Sequence, residues 1–148
     1  NKDISKITDN IYVGNFSTST NLELLNKIGI THIVSCLSHF YPAYPNEFKY
    51  HHVYAYDRTD FDISSEFQVS NTFIKDALNN KNNKVYIHCI QGVSRSITIL
   101  IAYLLTLDEY KDMIVDDIID ELKYSRNVAN PNPYFITLLR KYKSNINN

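Results

Sequence analysis

A cysteine and an arginine lie six residues apart just past the middle of the chain. They belong to the segment His88-Cys89-Ile90-Gln91-Gly92-Val93-Ser94-Arg95-Ser96. A thiolate is a strong nucleophile, and the planar guanidinium of arginine can donate two parallel hydrogen bonds to a phosphoryl group. A nucleophile and an anion clamp at this spacing predict chemistry on a phosphate ester.

This segment lies between a predicted strand and a predicted helix. Val85–His88 reads as a buried strand, and Ile97–Leu105 is apolar nearly all round, as is typical of a central, buried helix. At a helix N-terminus, unpaired backbone N–H groups and the positive end of the helix dipole converge to form an anion site. The same groups stabilise a thiolate, so we expect Cys89 to be ionised near neutral pH. The alternative is a buried, inert cysteine with an arginine that caps a loop, but it does not account for the whole cluster of residue types.

The rest of the chain alternates between strands and helices. Short β-branched runs predict strands, and apolar residues at helical spacing predict helices, the first of them with Thr18-Ser19-Thr20 as candidate N-caps. The predicted elements are strands at Ile11–Val13, Ile33–Ser35, Tyr50–Tyr54 and Val85–His88, and helices over Leu22–Ile28, Ser64–Leu78, Ile97–Leu105, Met113–Tyr124 and Asn132–Lys143. This order predicts an α/β fold with a central, mostly parallel sheet flanked by helices.

Composition restricts the classes of function. With 148 residues the chain has the length of one domain, 1–148, and a net charge of -1 provides no general attraction for nucleic acid. No apolar run is long enough to span a bilayer. Two cysteines are too few for a secreted disulfide framework, and the amino end lacks the apolar core of a signal peptide. We therefore expect an intracellular protein, cytoplasmic or nuclear; because it begins without Met, we allow that it is a piece of a longer chain.

The chain resembles the dual specificity phosphatases, a branch of the protein tyrosine phosphatase superfamily. Their signature, His-Cys-x5-Arg followed by Ser or Thr, matches residues 88–96 without a gap. Weaker matches follow the family's order: Ile11-Tyr12-Val13-Gly14-Asn15, Gly29-Ile30-Thr31-His32-Ile33, Ala102-Tyr103-Leu104, Arg126 and Pro131-Asn132. The resemblance covers about Ile7 to Tyr142 and implies a protein tyrosine phosphatase-like fold. It also implies hydrolysis of phosphotyrosine, phosphoserine and phosphothreonine in proteins through a cysteinyl-phosphate, with no metal or cofactor.

The resemblance assigns a role to each matching residue. Cys89 is the nucleophile, Arg95 clamps the phosphate, and Ser96 donates a hydrogen bond to the sulfur as it leaves. The loop that binds the phosphate comprises Ile90, Gln91, Gly92, Val93, Ser94 and Arg95. His88 and Asn132 support this loop.

The reaction also needs a proton donor, because an alkoxide is a poor leaving group. In the resembled family an aspartate about thirty residues before the cysteine supplies the proton. Asp57 lies 32 residues before Cys89, directly after a predicted strand, and is the favoured candidate. Asp60 is the alternative, while Asp62 approaches a helix N-terminus, where acidic residues are common.

Two further residues have two interpretations each. Arg126 could contact substrate beside the pocket, as in some relatives, or complement the C-terminal end of its helix. Cys36 ends a predicted strand, so it could approach Cys89 at the carboxyl edge of the sheet. Some relatives form a reversible disulfide between the nucleophile and a second cysteine near this point. The simpler interpretation is that Cys36 is a small buried apolar residue.

Substrate class follows from the charge of the loop. Ile90, Gln91 and Val93 are neutral, whereas relatives that act on inositol phospholipids or RNA 5′-triphosphates tend to carry extra basic residues there. Phosphorylated proteins are therefore the predicted substrates. The alternatives are a phosphoinositide or RNA 5′-phosphatase with the same chemistry, and a phosphoprotein-binding module without turnover. The aromatic segment 40–45 is interpreted as packing in preference to a recognition loop.

Overall fold

In the computed structural model, which describes residues 3–147, a five-stranded sheet forms the centre of the molecule. The strands are β1 (Ile4–Lys6), β2 (Ile11–Gly14), β3 (His32–Leu37), β4 (Lys49–Tyr54) and β5 (Val85–His88). Their order across the sheet is β1-β2-β5-β3-β4, with β1 antiparallel to β2 and every other neighbouring pair parallel. The prediction of a mostly parallel sheet is therefore confirmed.

Helices cover both faces of this sheet. They are α1 (Phe16–Ser19), α2 (Leu22–Ile28), α3 (Phe67–Leu78), α4 (Arg95–Leu104), α5 (Val115–Ser125) and α6 (Pro133–Ile146), and a short 3₁₀ helix over Ile63–Glu66 precedes α3. A large apolar cluster joins one face to α3, α4, α5 and α6, and a smaller one joins the other face to α2. Among residues 3–147, no helix combines the length and hydropathy that crossing a bilayer requires.

The central helix and the central strand determine where the loop between them lies. Every residue of α4 from Ser96 to Leu104 is buried, as its continuous apolar sequence predicts. All four residues of β5 are buried as well, because strands β2 and β3 flank it and helices cover it. Residues 89–94 therefore join two buried elements and emerge at the carboxyl edge of the sheet.

The structure adds two short elements and moves one helix cap. β1 is three residues long with a single apolar side chain, and α1 is a four-residue helix, so neither leaves a periodic signal in the sequence. The N-cap of α2 is Asn21, whose side chain accepts a hydrogen bond from Leu24 N at 3.1 Å. Thr18 and Ser19 lie in α1 instead, so the N-cap candidates named from sequence were wrong.

Candidate active site

The loop between β5 and α4 forms the floor of a cleft of about 260 Å³. The cleft is lined by Asp57, Cys89, Ile90, Gln91, Val93, Ser94 and Arg95. The nucleophile and clamp predicted from sequence thus share one cleft with the favoured acid. Only 3% of Cys89 is exposed, so a substrate reaches its sulfur only through this opening.

The environment of the Cys89 sulfur favours a thiolate. Gly92 N donates to Sγ at 3.2 Å, and Ser96 Oγ also lies 3.2 Å from Sγ. Burial raises the pKa of the Cys89 thiol. Hydrogen bonds from the Ser96 hydroxyl and from the backbone of Ser96 and Val93, together with the charge of Arg95, outweigh burial and bring this pKa below its ordinary value.

Arg95 begins α4 and presents a fork of N–H groups near the sulfur. Its Nη1 donates to Ala55 O at 3.1 Å, which fixes the side chain and leaves Nε and Nη2 for another acceptor. Among the described residues, the buried Nε has no hydrogen-bond partner. A buried donor without an acceptor is costly, and Nε with Nη2 is a pair that can bind a phosphoryl group through two parallel hydrogen bonds.

The carbonyl groups of the loop are held from outside, which turns its amides inward. Their hydrogen bonds are Cys89 O to His88 Nδ1 (3.2 Å), Ile90 O to Phe16 N (3.0 Å), Gln91 O to Arg126 Nη2 (3.1 Å), Gly92 O to Arg126 Nε (2.7 Å), Val93 O to Asn130 N (2.8 Å) and Ser94 O to Thr98 N (2.9 Å). Because the C=O and N–H of one trans peptide unit point in opposite directions, carbonyls that are bonded on the outside leave N–H donors for the cleft.

Three aspartates follow β4, and each has a different partner. The exposed Asp57 accepts a hydrogen bond from Asn132 Nδ2 at 2.9 Å and lines the cleft. Asp60 accepts two hydrogen bonds from Arg58, both 2.9 Å, which lower the pKa of its carboxyl group. Asp62 caps the 3₁₀ helix by accepting from Ser64 N at 2.9 Å. Of the three aspartates, Asp57 lines the cleft, whereas Asp60 is ion-paired with Arg58 and Asp62 caps a helix.

Asn132 joins the aspartate to the loop. Its Oδ1 caps α6 by accepting from Phe135 N at 2.9 Å, and its backbone N donates to Ser94 Oγ at 2.9 Å. The remaining amide group of its side chain, Nδ2, holds Asp57. One residue therefore ties the helix, the loop and the carboxylate together.

His88 lies behind the loop and is 1% exposed. Its Nδ1 must carry the proton, because Cys89 O can only accept; Nε2 then accepts from Ser35 Oγ at 2.8 Å. Burial lowers the pKa of His88 to about 4, and the positive charge of Arg95 lowers it as well. The hydrogen bond to Cys89 O has the opposite effect but is outweighed. A neutral ring in one tautomer thus links the loop to β3, as expected of a supporting residue.

The structure does not place Arg126 beside the pocket. Its side chain is 2% exposed, and besides the two loop carbonyls it donates to Ser5 Oγ at 3.0 Å. Gly92, at φ 71°, is the point of closest approach, since a Cβ there would lie 2.5 Å from Arg126 Nη2 and 2.6 Å from Gly14 O. Of the two interpretations of Arg126, contact with substrate is therefore corrected: Arg126 holds the loop from behind, from its position as the C-cap of α5.

Sequence reasoning did not identify Ser35, Ser5, Phe16 or Asn130 as parts of this support. Ser35 left a weak signal, because it is a polar residue inside the β-branched run of β3. Phe16 and Asn130 act through backbone N–H groups, which side-chain chemistry does not reveal. Ser5 lies in β1, which the sequence did not predict.

A profile of known proteins, described as the dual specificity phosphatase catalytic domain, matches residues 11–145. The chain belongs to the dual specificity phosphatase family. The predicted fold and the prediction of a cysteine-dependent protein phosphatase domain are therefore confirmed.

Named relatives of this phosphatase domain differ in length. The chain is 30% identical over 145 residues to Dual specificity protein phosphatase 1B of Arabidopsis thaliana, covering 98% of itself and 84% of that protein. It is 34% identical over 143 residues to MAP kinase phosphatase with leucine-rich repeats protein 3 of Dictyostelium discoideum, covering 96% of itself but 16% of that protein. The crystal structure of human tyrosine phosphatase-like serine/threonine/tyrosine-interacting protein superposes with a TM-score of 0.90 at 26% identity, and each chain is covered in full (100%).

Cys36 lies beside Cys89 in this phosphatase domain. Ser35 pairs with His88 in the parallel register of β3 and β5, so Cys36 and Cys89 are the next residues along. Both side chains are in the same buried cluster, and both thiols are free. Burial, and then the proximity of Cys89, raise the pKa of Cys36 well above its ordinary value, so Cys36 is the less reactive of the two thiols.

The buried His88 makes stability depend on pH. Its pKa is about 4 in the folded state and near 6.5 otherwise, so between these values the unfolded chain binds a proton that the folded chain does not. The free energy of unfolding should therefore fall as the pH drops below about 6.5, by roughly 3 kcal/mol once the pH reaches 4. Urea unfolding at pH 7 and pH 4.5 measures this loss, which should be smaller in His88→Asn.

His39→Gln is the matched control, because His39 is an exposed histidine in the loop after β3. It should retain the full pH-dependent loss. Burial also lowers the pKa values of His32 and His51, so His88→Asn should reduce the loss without abolishing it. An equal loss in folded His88→Asn and wild type would contradict the assignment.

The position of Cys36 predicts a reversible oxidation. Peroxide should convert the Cys89 thiolate to a sulfenic acid, and the Cys36 thiol should displace water from it to form a disulfide, since adjacent strand positions lie within disulfide range. Dithiothreitol should restore the thiols, and Cys36→Ser should make inactivation harder to reverse. Mass spectrometry decides the outcome: Cys89 sulfinic acid with Cys36 unmodified, and no cross-linked peptide, would count against the pairing.

Proposed function

We propose that this domain hydrolyses phosphate monoesters on tyrosine, serine and threonine side chains of proteins through a cysteinyl-phosphate intermediate. One observation carries the proposal: the Cys89 thiol, the Arg95 guanidinium and the exposed Asp57 carboxylate line one cleft. We also propose that it acts inside the cell, because a thiol nucleophile works only while it is reduced.

In the first step the Cys89 thiolate attacks phosphorus and the bond from phosphorus to the ester oxygen breaks. Arg95, through Nε and Nη2, and the inward-facing amides of the loop stabilise the three equatorial oxygens. The Asp57 carboxyl group donates its proton to the departing oxygen, which leaves as a neutral alcohol or phenol. The products of this step are the dephosphorylated side chain and phosphate bound to sulfur.

In the second step water replaces sulfur on the phosphorus atom. The Asp57 carboxylate accepts a proton from water, and the sulfur leaves as a thiolate. Ser96 Oγ, 3.2 Å from Sγ, is positioned to donate a hydrogen bond to this developing charge. The enzyme returns to its starting state with inorganic phosphate in the cleft.

Charge around the cleft supports protein substrates over polyanions. Among residues 3–147, Arg95 is the one basic residue that lines it, and the loop side chains facing solvent, Ile90 and Gln91, are neutral. Arg126 also lies near the loop, but its side chain donates hydrogen bonds to Gln91 O, Gly92 O and Ser5 Oγ. A substrate with several phosphates would find one clamp here, whereas a phosphorylated side chain needs only one.

Binding without turnover is the second candidate. The human structural neighbour is named as phosphatase-like and as an interacting protein, so this fold occurs in a protein with that description. Cys89, Ser96 and Asp57 argue for catalysis in this chain, because binding alone requires neither a thiolate nor an acid at the cleft.

Loss of the nucleophile tests the proposed reaction. Cys89→Ser should abolish hydrolysis of an aryl phosphate, because a serine hydroxyl is not ionised near neutral pH. Cys36→Ser is the matched control, since it removes the other thiol but leaves the cleft intact. Release of phosphate is measured under reducing conditions, with circular dichroism to check folding. Hydrolysis by folded Cys89→Ser near the wild-type rate would rule out the mechanism, and absence of hydrolysis in wild type would favour the binding module.

Identification of the acid needs two variants compared on two substrates. Asp57→Asn should lower kcat by roughly 10²-fold on an alkyl phosphate, whose leaving group needs a proton. The loss should be smaller on an aryl phosphate with a good leaving group, which departs without one. Asp60→Asn should stay near wild type, because its carboxylate is paired with Arg58. The dependence on leaving group is the measurement. If it appears in Asp60→Asn and not in Asp57→Asn, the acid has been assigned to the wrong residue.

A further inference from the structure

Strand β4 is an outer strand of the sheet, and within residues 3–147 no strand pairs with its outer edge. Lys49 N donates to Thr31 O and Ala55 N donates to Leu37 O, so the odd-numbered residues of this segment bond to β3. Successive peptide groups of a strand point in opposite directions. The N–H and C=O groups of Tyr50, His52 and Tyr54 therefore face away from the sheet, where they form a template for another strand.

A row of aromatic rings follows this edge on one face. Tyr50, His52 and Tyr54 are alternate residues, so their side chains share a face. Phe40, from the loop before β4, stacks on His52 with ring centroids 4.8 Å apart and lies 5.7 Å from Tyr50. The ring centroids of His52 and Tyr54 lie 6.4 Å apart, and 48% of Tyr54 is exposed. Phe40, Tyr50 and His52 are half-buried and Tyr54 is exposed, so the row is partly open to solvent. Next to outward-facing backbone groups, such a row is a surface suited to an extended chain.

The row leads to the cleft. Beyond the end of β4, Tyr54 contacts Tyr56 at 5.5 Å and Phe61 at 6.0 Å, and the guanidinium of Arg58 lies 5.6 Å from the Tyr56 ring centroid. The residue after Tyr56 is Asp57, which lines the cleft. A segment lying along β4 would therefore point toward the cleft.

We propose that the open edge of β4 and its aromatic row bind the segment that flanks the phosphorylated residue of the substrate, as an added strand. This inference rests on the proposed function and specifies its substrate class. Main-chain hydrogen bonds to the edge supply affinity, and alternate side chains that pack on the row supply specificity. Continuity with the cleft favours a substrate segment over a second copy of this chain, which would pair at the edge without regard to the cleft.

The sheet fixes how far along the substrate this contact lies. Cys89 follows β5, and β3 separates β5 from β4, so an added strand would be the third neighbour from β5. Three strand spacings amount to about 14 Å, which about four extended residues can bridge. The recognised segment should begin about four residues from the phosphorylated one and carry aromatic or β-branched residues at alternate positions.

Phosphotyrosine peptides of two lengths test this inference. The short peptide carries about three residues on each side, and two long peptides extend one side or the other by about eight alternating tyrosine and threonine residues. We expect kcat/KM for one long peptide to exceed that of the short peptide roughly tenfold, mostly through KM. In two further versions of the long peptide, backbone nitrogens are methylated at the odd or at the even flank positions. One version should lose the higher kcat/KM and the other should keep it, because an edge strand pairs through every second residue.

Variants on the edge should act on the long peptide alone. His52→Pro removes an N–H that faces away from β3, a change that an outer strand tolerates, and Tyr54→Ser removes the most exposed ring of the row. Each should reduce kcat/KM for the long peptide toward that of the short one and leave turnover of an aryl phosphate unchanged. Tyr124→Ser is the matched control, since Tyr124 is a 93% exposed tyrosine on α5. If His52→Pro does not fold, Tyr54→Ser and the methylated peptides decide the question.

Several outcomes would overturn the inference. Equal kcat/KM for short and long peptides would do so, as would an equal loss on the aryl phosphate in the edge variants, because that would indicate damage to the Asp57 loop. A wild-type dimer in sedimentation that His52→Pro dissociates, with no change in peptide kinetics, would assign the edge to a second copy. Absence of aryl phosphate hydrolysis in wild type would instead contradict the proposed function, and equilibrium binding of the same peptides would then test the edge.

Discussion

The site depends on the loop between β5 and α4 keeping its carbonyl groups outward. When several backbone N–H groups of one loop point toward the same sulfur, their dipoles repel one another. The loop therefore does not hold this conformation by itself. Each carbonyl from Cys89 to Ser94 has an external donor, and the donors come from α1, α4, the end of α5 and the loop before α6, in addition to His88. Much of the fold thus serves to hold one loop in a conformation that suits an anion.

Charge is distributed around the loop in a way that keeps the cleft selective. Burial keeps His88 neutral, so the ring behind the loop supplies a hydrogen bond without a second positive charge close to the sulfur. Arg126 is a buried cation, but it donates to two loop carbonyls and to Ser5 Oγ from behind the loop. Arg95 is therefore the basic side chain that a substrate meets in the cleft.

The sequence predicted the local elements around the site but missed most of the long-range contacts that hold the loop. Strand β5 was predicted with its observed bounds and α4 to within two residues, because a buried strand, a tight loop and a helix free of polar faces each leave a continuous signal. The position of Arg126 could not be predicted, since it donates to Gly92 across 34 residues of sequence and to Ser5 across 121. The choice between Asp57 and Asp60 was also open, because spacing does not reveal that Arg58 binds one and Asn132 the other.

The proposed nucleophile and the proposed acid have opposite requirements, and the fold separates them accordingly. A thiolate is stabilised by fixed donors in a site closed to solvent, so Cys89 belongs at the end of a buried strand. An acid that gives up and regains a proton in each cycle must exchange protons with water, so Asp57 belongs on an exposed segment. An exposed carboxylate is free to turn away, however, unless something fixes it. Asn132 does so through an amide whose position is set by a helix cap and a bond to Ser94, and the orientation of the acid is thereby tied to the loop that holds the nucleophile.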